Sequence, residues 1–343
     1  MFAAMLLALS LQAPAQTALL EVERKTIEIY RDALPAVVNV SNIKVARNFF
    51  QGEVEVPQGA GSGFVWDTQG HIVTNYHVVQ GGNSFVVTFH NDPKKYAATL
   101  VGAEPKKDTA VLKLKEMPKT LHPIKIGSSK LLAVGQMTFA IGSPFGLEHS
   151  LTTGVVSAIG RKIDGIGGVK IHDMIQTDAS INMGNSGGPL LDSAGTLIGM
   201  NTMIFSTSGS SAGLGFAVPV DTVKMIVPQL IQHGKIIRPG LGVSILPDHM
   251  RERMQTDVKE GAIIAYVESN SPAGRAGLRG FSQDRATGRV YLGDVLLSID
   301  NKPVGNLDEI YHVLESYKIG ESVKLKVWRE GKIREVQVKL QAL

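Results

Sequence analysis

Hydrophobic and polar positions change their rhythm along the chain. Residues 17–34 carry Leu20, Ile27 and Tyr30 among charges and end before Pro35, which predicts a short helix. From Ala36 onward the pattern becomes short apolar runs broken by Gly, Asn and Asp. Val37-Val38-Asn39-Val40, Gly63-Phe64-Val65-Trp66, Ile72-Val73-Thr74, Phe85-Val86-Val87-Thr88-Phe89, Ala110-Val111-Leu112-Lys113-Leu114, Thr138-Phe139-Ala140-Ile141 and Leu197-Ile198-Gly199-Met200 all read as strands. Many short strands with regular turn signals predict barrels or sandwiches, and two small β-barrels over about 200 residues fit the spacing.

The rhythm changes again after Val218-Pro219. Val223, Ile226, Val227, Leu230 and Ile231 share one face of a helix over 220–233. Pro228 falls inside it and is expected to kink or split it. Gly234 can cap its end, and Pro239-Gly240 follows, so a domain boundary is expected near 234–239. The remainder mixes strands with one clear helix that starts at Asn306, an N-cap residue. Leu307, Ile310, Val313, Leu314 and Tyr317 form its apolar stripe. The division is therefore 17–234 and 235–343, each long enough for its own core.

Composition narrows the classes. Of 343 residues 43% are hydrophobic and 19% charged, with 37 glycines, which suits a globular, turn-rich, mainly β protein and not a disordered one. Net charge is only +4 and no basic block carries interleaved aromatics, which argues against nucleic acid as a partner. The absence of Cys excludes disulfides, thiolate catalysis and zinc–thiolate sites. No metal-ligand cluster and no Walker loop appears, so neither a metal nor ATP is implied. Residues 2–11 form a short apolar run, followed by Ala13-Pro14-Ala15 and Gln16-Thr17-Ala18. This reads as a secretory signal peptide over 1–16, although no positive n-region precedes it; an apolar tail or an uncleaved anchor is the alternative. The run is shorter than the roughly 20 residues a bilayer requires, and no stable membrane span is expected. A periplasmic or otherwise secreted location follows.

The richest chemical signal is Gly184-Asn185-Ser186-Gly187-Gly188-Pro189-Leu190. A serine between glycines on a turn before a strand exposes its hydroxyl beside free backbone N–H groups. Acyl transfer needs both: the hydroxyl of Ser186 to attack a carbonyl, and the N–H groups of Gly184 and Ser186 to hold the oxyanion. Such a turn alone is more often structural, so its companions decide. His77 stands directly after the strand-like run ending at Thr74, whereas most of the nine histidines should be surface or satisfied side chains. Asp108 stands just before the run Thr109-Ala110-Val111-Leu112. The order His77, Asp108, Ser186 is that of a chymotrypsin-like triad. Asp92, in an Asn-Asp-Pro turn, and Asp164, in a Gly-rich loop, compete weakly for the acid role; Asp173 and Asp178 are the runners-up.

These residues sit in longer stretches that resemble the HtrA/Deg family of serine proteases. The matching stretches are Gly61-Ser62-Gly63-Phe64-Val65, Thr74-Asn75-Tyr76-His77-Val78-Val79, Asp108-Thr109-Ala110-Val111-Leu112, Ala140-Ile141-Gly142-Ser143-Pro144-Phe145-Gly146 and Thr153-Gly154-Val155-Val156-Ser157. Gln176-Thr177-Asp178-Ala179-Ser180-Ile181-Asn182, Asn201-Thr202 and Gly213-Leu214-Gly215-Phe216-Ala217-Val218-Pro219 also match, and the resemblance spans about 20–343. It implies a chymotrypsin-like double β-barrel, with Ser186 as nucleophile, His77 as general base and then acid, and Asp108 fixing the imidazole. Ser143 stands where the family often has Asn, and Met183 where Pro or Arg is common; activity is expected to survive both. The position that is acidic in the trypsin branch, six before the nucleophile, is Ser180 here. The resemblance makes Ile181 and the 202–211 loop a primary pocket for small or medium aliphatic side chains; the alternative is that Ile181 is core.

Arg238-Pro239-Gly240-Leu241-Gly242-Val243, ahead of strand-like Ser244-Ile245-Leu246, resembles the carboxylate-binding loop of a PDZ domain, a small α+β sandwich. The N–H groups of Leu241, Gly242 and Val243 would cradle a peptide's C-terminal carboxylate while the peptide adds as a strand. Pro272-Ala273-Gly274-Arg275-Ala276-Gly277-Leu278 and 292–300 support the assignment. The stretch 279–291 is longer than in most bacterial relatives and resembles the plant chloroplast branch. The resemblance implies an ATP-independent serine endopeptidase that degrades unfolded or damaged polypeptides in stress-linked protein quality control. It also implies a homotrimer or a multiple of it, with 17–34 and Phe49-Phe50 at the contacts. The competing readings are a chaperone or peptide-binding scaffold with a silent protease site, a processing enzyme for one substrate, and a PDZ domain that only scaffolds oligomers.

Overall fold

The structure is a computed structural model and describes residues 19–48, 52–143, 149–164, 170–182, 184–204, 213–251, 260–283 and 290–342. The expected signal segment, Phe49-Phe50, Met183 and most of the 202–211 loop lie outside them.

Helix α1, Glu21–Ala33, begins with Glu23 accepting the Leu20 N–H at 2.7 Å and buries Ile29 and Ala33. Six strands follow: β1 (Val37–Asn48), β2 (Gly52–Val65), β3 (His71–Thr74), β4 (Ser84–Phe89), β5 (Lys95–Glu104) and β6 (Thr109–Leu114). They close in the order β1-β2-β3-β6-β5-β4. Six more, β7 (Met137–Gly142), β8 (Ser150–Asp164), β9 (Lys170–Thr177), β10 (Pro189–Leu191), β11 (Leu197–Ile204) and β12 (Gly215–Pro219), close as β10-β11-β12-β9-β8-β7. The double barrel expected from the strand spacing is present. Each barrel has its own interior, around Val40, Ile72 and Leu112 in the first and Ile175, Leu190 and Ile198 in the second. A third cluster joins them, with Phe64 and Val111 meeting Phe139, Ile141 and Met200. Full closure leaves neither barrel a free sheet edge.

Helix α3, Val220–His233, lies on that shared cluster through Val220, Val223, Ile226, Val227 and Leu230. It is not split at Pro228. Five side chains buried on one face outweigh the single backbone hydrogen bond that a proline removes. Gly234, at φ +71°, caps it as expected.

The C-terminal region has its own core. Strand β13 (Pro239–Gly240) pairs with the last strand, β22 (Gln341–Ala342). Between them run β14 (Val243–Ile245), helix α4 (Asp248–Arg251), β15 (Ala262–Val267), helix α5 (Pro272–Arg275), the β16–β17 pair (Ser282–Gln283, Val290–Tyr291) and β18 (Val295–Ile299). Then come β19 (Lys302–Pro303), helix α6 (Leu307–Leu314), β20 (Ser322–Arg329) and β21 (Lys332–Lys339). The main sheet runs β14-β15-β18-β20-β21, and α6 buries Ile310, Val313 and Leu314 against it. Asn306 caps α6 by accepting the Glu309 N–H at 3.0 Å. The helix stops at Leu314, so Tyr317 lies beyond it, packed on the same core with its hydroxyl donating to Asp300.

Candidate active site

Strand register brings the histidine and the acid together. Thr74 pairs with Ala110 across β3 and β6. His77 follows Thr74 on the short helix α2 (Tyr76–Val79), and Asp108 immediately precedes β6. The two side chains consequently meet, with His77 Nδ1 at 2.8 Å from Asp108 Oδ2. The His77 backbone N–H also donates to Asp108 Oδ1, at 3.0 Å, so both carboxylate oxygens are engaged. Asp108 is buried in a left-handed turn at φ +46°, a conformation that aspartate tolerates better than most residues. Asn75 Nδ2 donates to its carbonyl. A carboxylate against Nδ1 keeps the proton there and leaves Nε2 as the basic nitrogen.

Ser186 reaches this pair on the turn before β10, and Ser62 of β2 ties that turn across the barrels. Ser62 N–H donates to Ser186 O at 2.8 Å, Ser62 Oγ donates to Gly184 O at 2.5 Å and accepts the Ser143 N–H at 2.8 Å, and Thr74 Oγ1 donates to Ser62 O. Gly187, at φ +85°, lies so close that a Cβ there would stand 2.1 Å from Ser62 O. No other residue fits. The N–H groups of Gly184 and Ser186 have no partner among the described residues. Ser186 Oγ donates to the carbonyl of Thr202 at 2.8 Å, and Thr202 Oγ1 donates to Asp108 Oδ2. Among the described residues no hydrogen bond joins Ser186 to His77.

The other aspartates have separate employment. Asp92 accepts the Lys94 N–H and the Tyr96 hydroxyl in its turn, and the Lys94 N–H is the first cause of its lowered pKa. Asp164 ends β8. Asp173 lies 3.9 Å from His312, and Asp178 accepts the Val155 N–H at 2.6 Å. Ser180 is exposed; its carbonyl accepts from Asn185 and Thr152. Ile181 is 1% exposed and packs in the second barrel's core with Leu190 and Ile198. Far from these, Leu241 is buried and Gly242 takes φ +72°, where a Cβ would stand 2.1 Å from Ser271 Cβ. The carbonyls of Leu241 and Gly242 accept from Ala273 and Glu268. Strand β14, which holds Val243, pairs only with β15 among the described residues, so its other edge carries no strand there.

A profile described as a trypsin-like peptidase domain matches residues 61–200, and a PDZ domain profile matches 239–340. "Protease Do-like 1, chloroplastic" of Arabidopsis thaliana is 46% identical over 93% of this chain and 72% of its own length. The chain belongs to the HtrA/Deg family of serine proteases. "Probable periplasmic serine endoprotease DegP-like" of Halomonas elongata is 36% identical over 97% of the chain and 74% of its own. Among solved structures, "HtrA-type protease AlgW with decapeptide" superposes with a TM-score of 0.71 at 31% identity, covering 93% of this chain and 98% of that one. A serine endoprotease from Yersinia pestis gives 0.65 at 30%, covering 93% and 98%. The HtrA/Deg chain is thus a serine endopeptidase with a PDZ domain, and no helix among the described residues is long and apolar enough to cross a membrane.

Three residues that hold the site escaped sequence reasoning as individuals. Ser62, Asn75 and Thr202 each stand in a family motif, but their hydrogen bonds reach segments far away in the chain. No local pattern encodes such partners.

Proposed function

We propose that this HtrA/Deg protein hydrolyses peptide bonds in unfolded or damaged polypeptides through an acyl-enzyme on Ser186. The contact that supports the reading best is His77 Nδ1 to Asp108 Oδ2 at 2.8 Å, with Ser62 tying the Ser186 turn beside it. Ser186 Oγ rotates off Thr202 O and attacks the carbonyl carbon as His77 Nε2 takes its proton. Asp108 holds the Nδ1 proton and stabilises the imidazolium. The N–H groups of Gly184 and Ser186 receive the oxyanion. The amine leaves with the proton from His77, and water repeats the sequence to free Ser186. Casein degradation by the wild type and by Ser186→Ala tests this, alongside labelling by a fluorophosphonate. Loss of both in the variant is expected; equal degradation by both proteins overturns the reading.

The remaining assignments follow from it. A peptidase unit over 17–234 is followed by a PDZ unit over 235–343. The N–H groups of Leu241, Gly242 and Val243 take a C-terminal carboxylate at the open edge of β14. Ser180, Ile181 and the 202–211 loop form the primary pocket, which requires Ile181 to be uncovered from its present place in the core. The assembly is a homotrimer or a multiple of it, and 1–16 directs the chain to the periplasm or another secreted compartment, where a stress-linked role fits.

A further inference from the structure

The turn that presents Asp108 is held from the PDZ side. Residues Pro105–Lys107 form one tight turn, closed by the Asp108 N–H onto Pro105 O at 3.2 Å and by Thr109 Oγ1 onto Lys107 O at 2.9 Å. The Lys107 side chain is buried, which a lysine tolerates only with a partner. That partner is Glu315, which follows the last residue of α6, with Nζ at 2.9 Å from Oε2. Two neighbours reinforce the contact: the Lys106 ammonium lies 3.7 Å over the Tyr311 ring, and His172 of β9 stacks on His312 at 4.4 Å.

Lys107 and Asp108 are consecutive in a turn whose left-handed Asp108 must be held in place by its surroundings. We infer that Lys107, paired with Glu315 of the PDZ domain, is a positioning residue for Asp108; the inference rests on Asp108 being the triad acid. The second domain thereby completes the placement of a group in the first. If the Lys107 backbone shifts, Asp108 loses either the Nδ1–H or the His77 N–H it now accepts. The imidazolium that forms as Ser186 attacks is then less stabilised. Because that charge exists only beyond the ground state, kcat falls and KM does not follow.

Cleavage of a fluorogenic peptide by the full chain tests this with Lys107→Met, Glu315→Gln and the double variant. Lys107→Met keeps the stem and removes the charge. Glu315→Gln strands a buried ammonium and costs stability as well, whereas the double variant strands neither charge and separates folding from positioning. Expected for the double variant is a thermal midpoint near the wild type, whereas Lys107→Met leaves the part-buried Glu315 carboxylate unpaired and lowers it. The kcat of both should fall on the order of ten- to a hundredfold, while KM stays near the wild-type value. A double variant with the wild-type kcat overturns the inference while Asp108→Asn stays inactive. If Asp108→Asn itself keeps the wild-type rate, the triad assignment falls and the inference with it.

Discussion

Ser186 donates its hydroxyl to the carbonyl of Thr202, and the hydroxyl of the same threonine donates to Asp108. One residue of β11 therefore holds the proposed nucleophile in its resting direction and braces the proposed acid. The backbone half of this arrangement survives any side-chain change, but the brace does not. Thr202→Val removes a hydrogen bond to a buried carboxylate, worth about 1.5–3 kcal/mol. If that support is felt at the imidazolium, kcat falls by roughly ten- to a hundredfold. Steady-state kinetics on a short fluorogenic peptide would show it; an unchanged kcat in a folded Thr202→Val protein would mean that Asp108 needs no such brace.

Asp108→Asn should be far more damaging. An amide in place of the carboxylate offers an N–H to Nδ1 and favours the wrong tautomer, leaving Nε2 protonated. In chymotrypsin-like proteases the same change lowers kcat by about 10⁴. Asp173→Asn and Asp178→Asn should leave kcat near the wild type, because those carboxylates serve His312 and the Val155 N–H. The three variants measured side by side decide the acid; a large fall for either of the latter, with Asp108→Asn active, would reassign it.

What the sequence made legible here was local. Alternating apolar runs announced the strands, the glycines around Ser186 announced a strained turn, and Asn306 announced α6 to the residue. Pro228 left a kink or a split open, and α3 runs unbroken through it because five side chains buried on one face hold it together. Ile181 was left between pocket and core, since both accept an aliphatic side chain; its burial follows from the closing of the second barrel. Ser62 and Lys107 were silent because a serine in a glycine-rich strand and a lysine in a turn look ordinary until their partners arrive from Gly184 and Glu315.

The PDZ core contains one ion pair whose loss should be visible in folding. Asp294 is fully buried and receives Arg329 Nε at 2.5 Å and a second guanidinium nitrogen at 2.6 Å, while the Arg279 N–H donates to it at 2.8 Å. Asp294 is the main cause that raises the Arg329 pKa. Arg329→Ala leaves that carboxylate buried without its counter-charge, so about 3–5 kcal/mol of stability should be lost. Calorimetry of the full chain should show the PDZ transition moving down by many degrees while the peptidase transition stays. Unfolding at the wild-type temperature would show that the backbone N–H alone satisfies Asp294.

The stack of His172 on His312 gives the contact between the two domains a pH dependence. The His172 pKa lies below the usual 6.5, first because of burial and then because His312, Lys162 and Lys107 face it; only Asp173 opposes them. Its Nε2 is buried without a hydrogen-bond partner, so the ring is best accommodated neutral. The folded protein therefore binds fewer protons here than the unfolded chain. The contribution of this histidine to stability is complete above about pH 6.5 and is lost as pH falls through the lower folded value. A charged His172 ring is poorly accommodated where it is buried beside Lys162 and Lys107, so the domain contact should loosen in mild acid. His172→Phe keeps a ring on His312 but cannot take up the proton. Hydrogen exchange, corrected for intrinsic rates, should then rise between about pH 7 and 5 at 171–174 and 309–315 in the wild type, and rise much less in the variant. The same steepening in both proteins would show that His172 is not the group responsible. Because Lys107 and Glu315 share this contact, the acid limb of the wild-type activity profile should also flatten in His172→Phe.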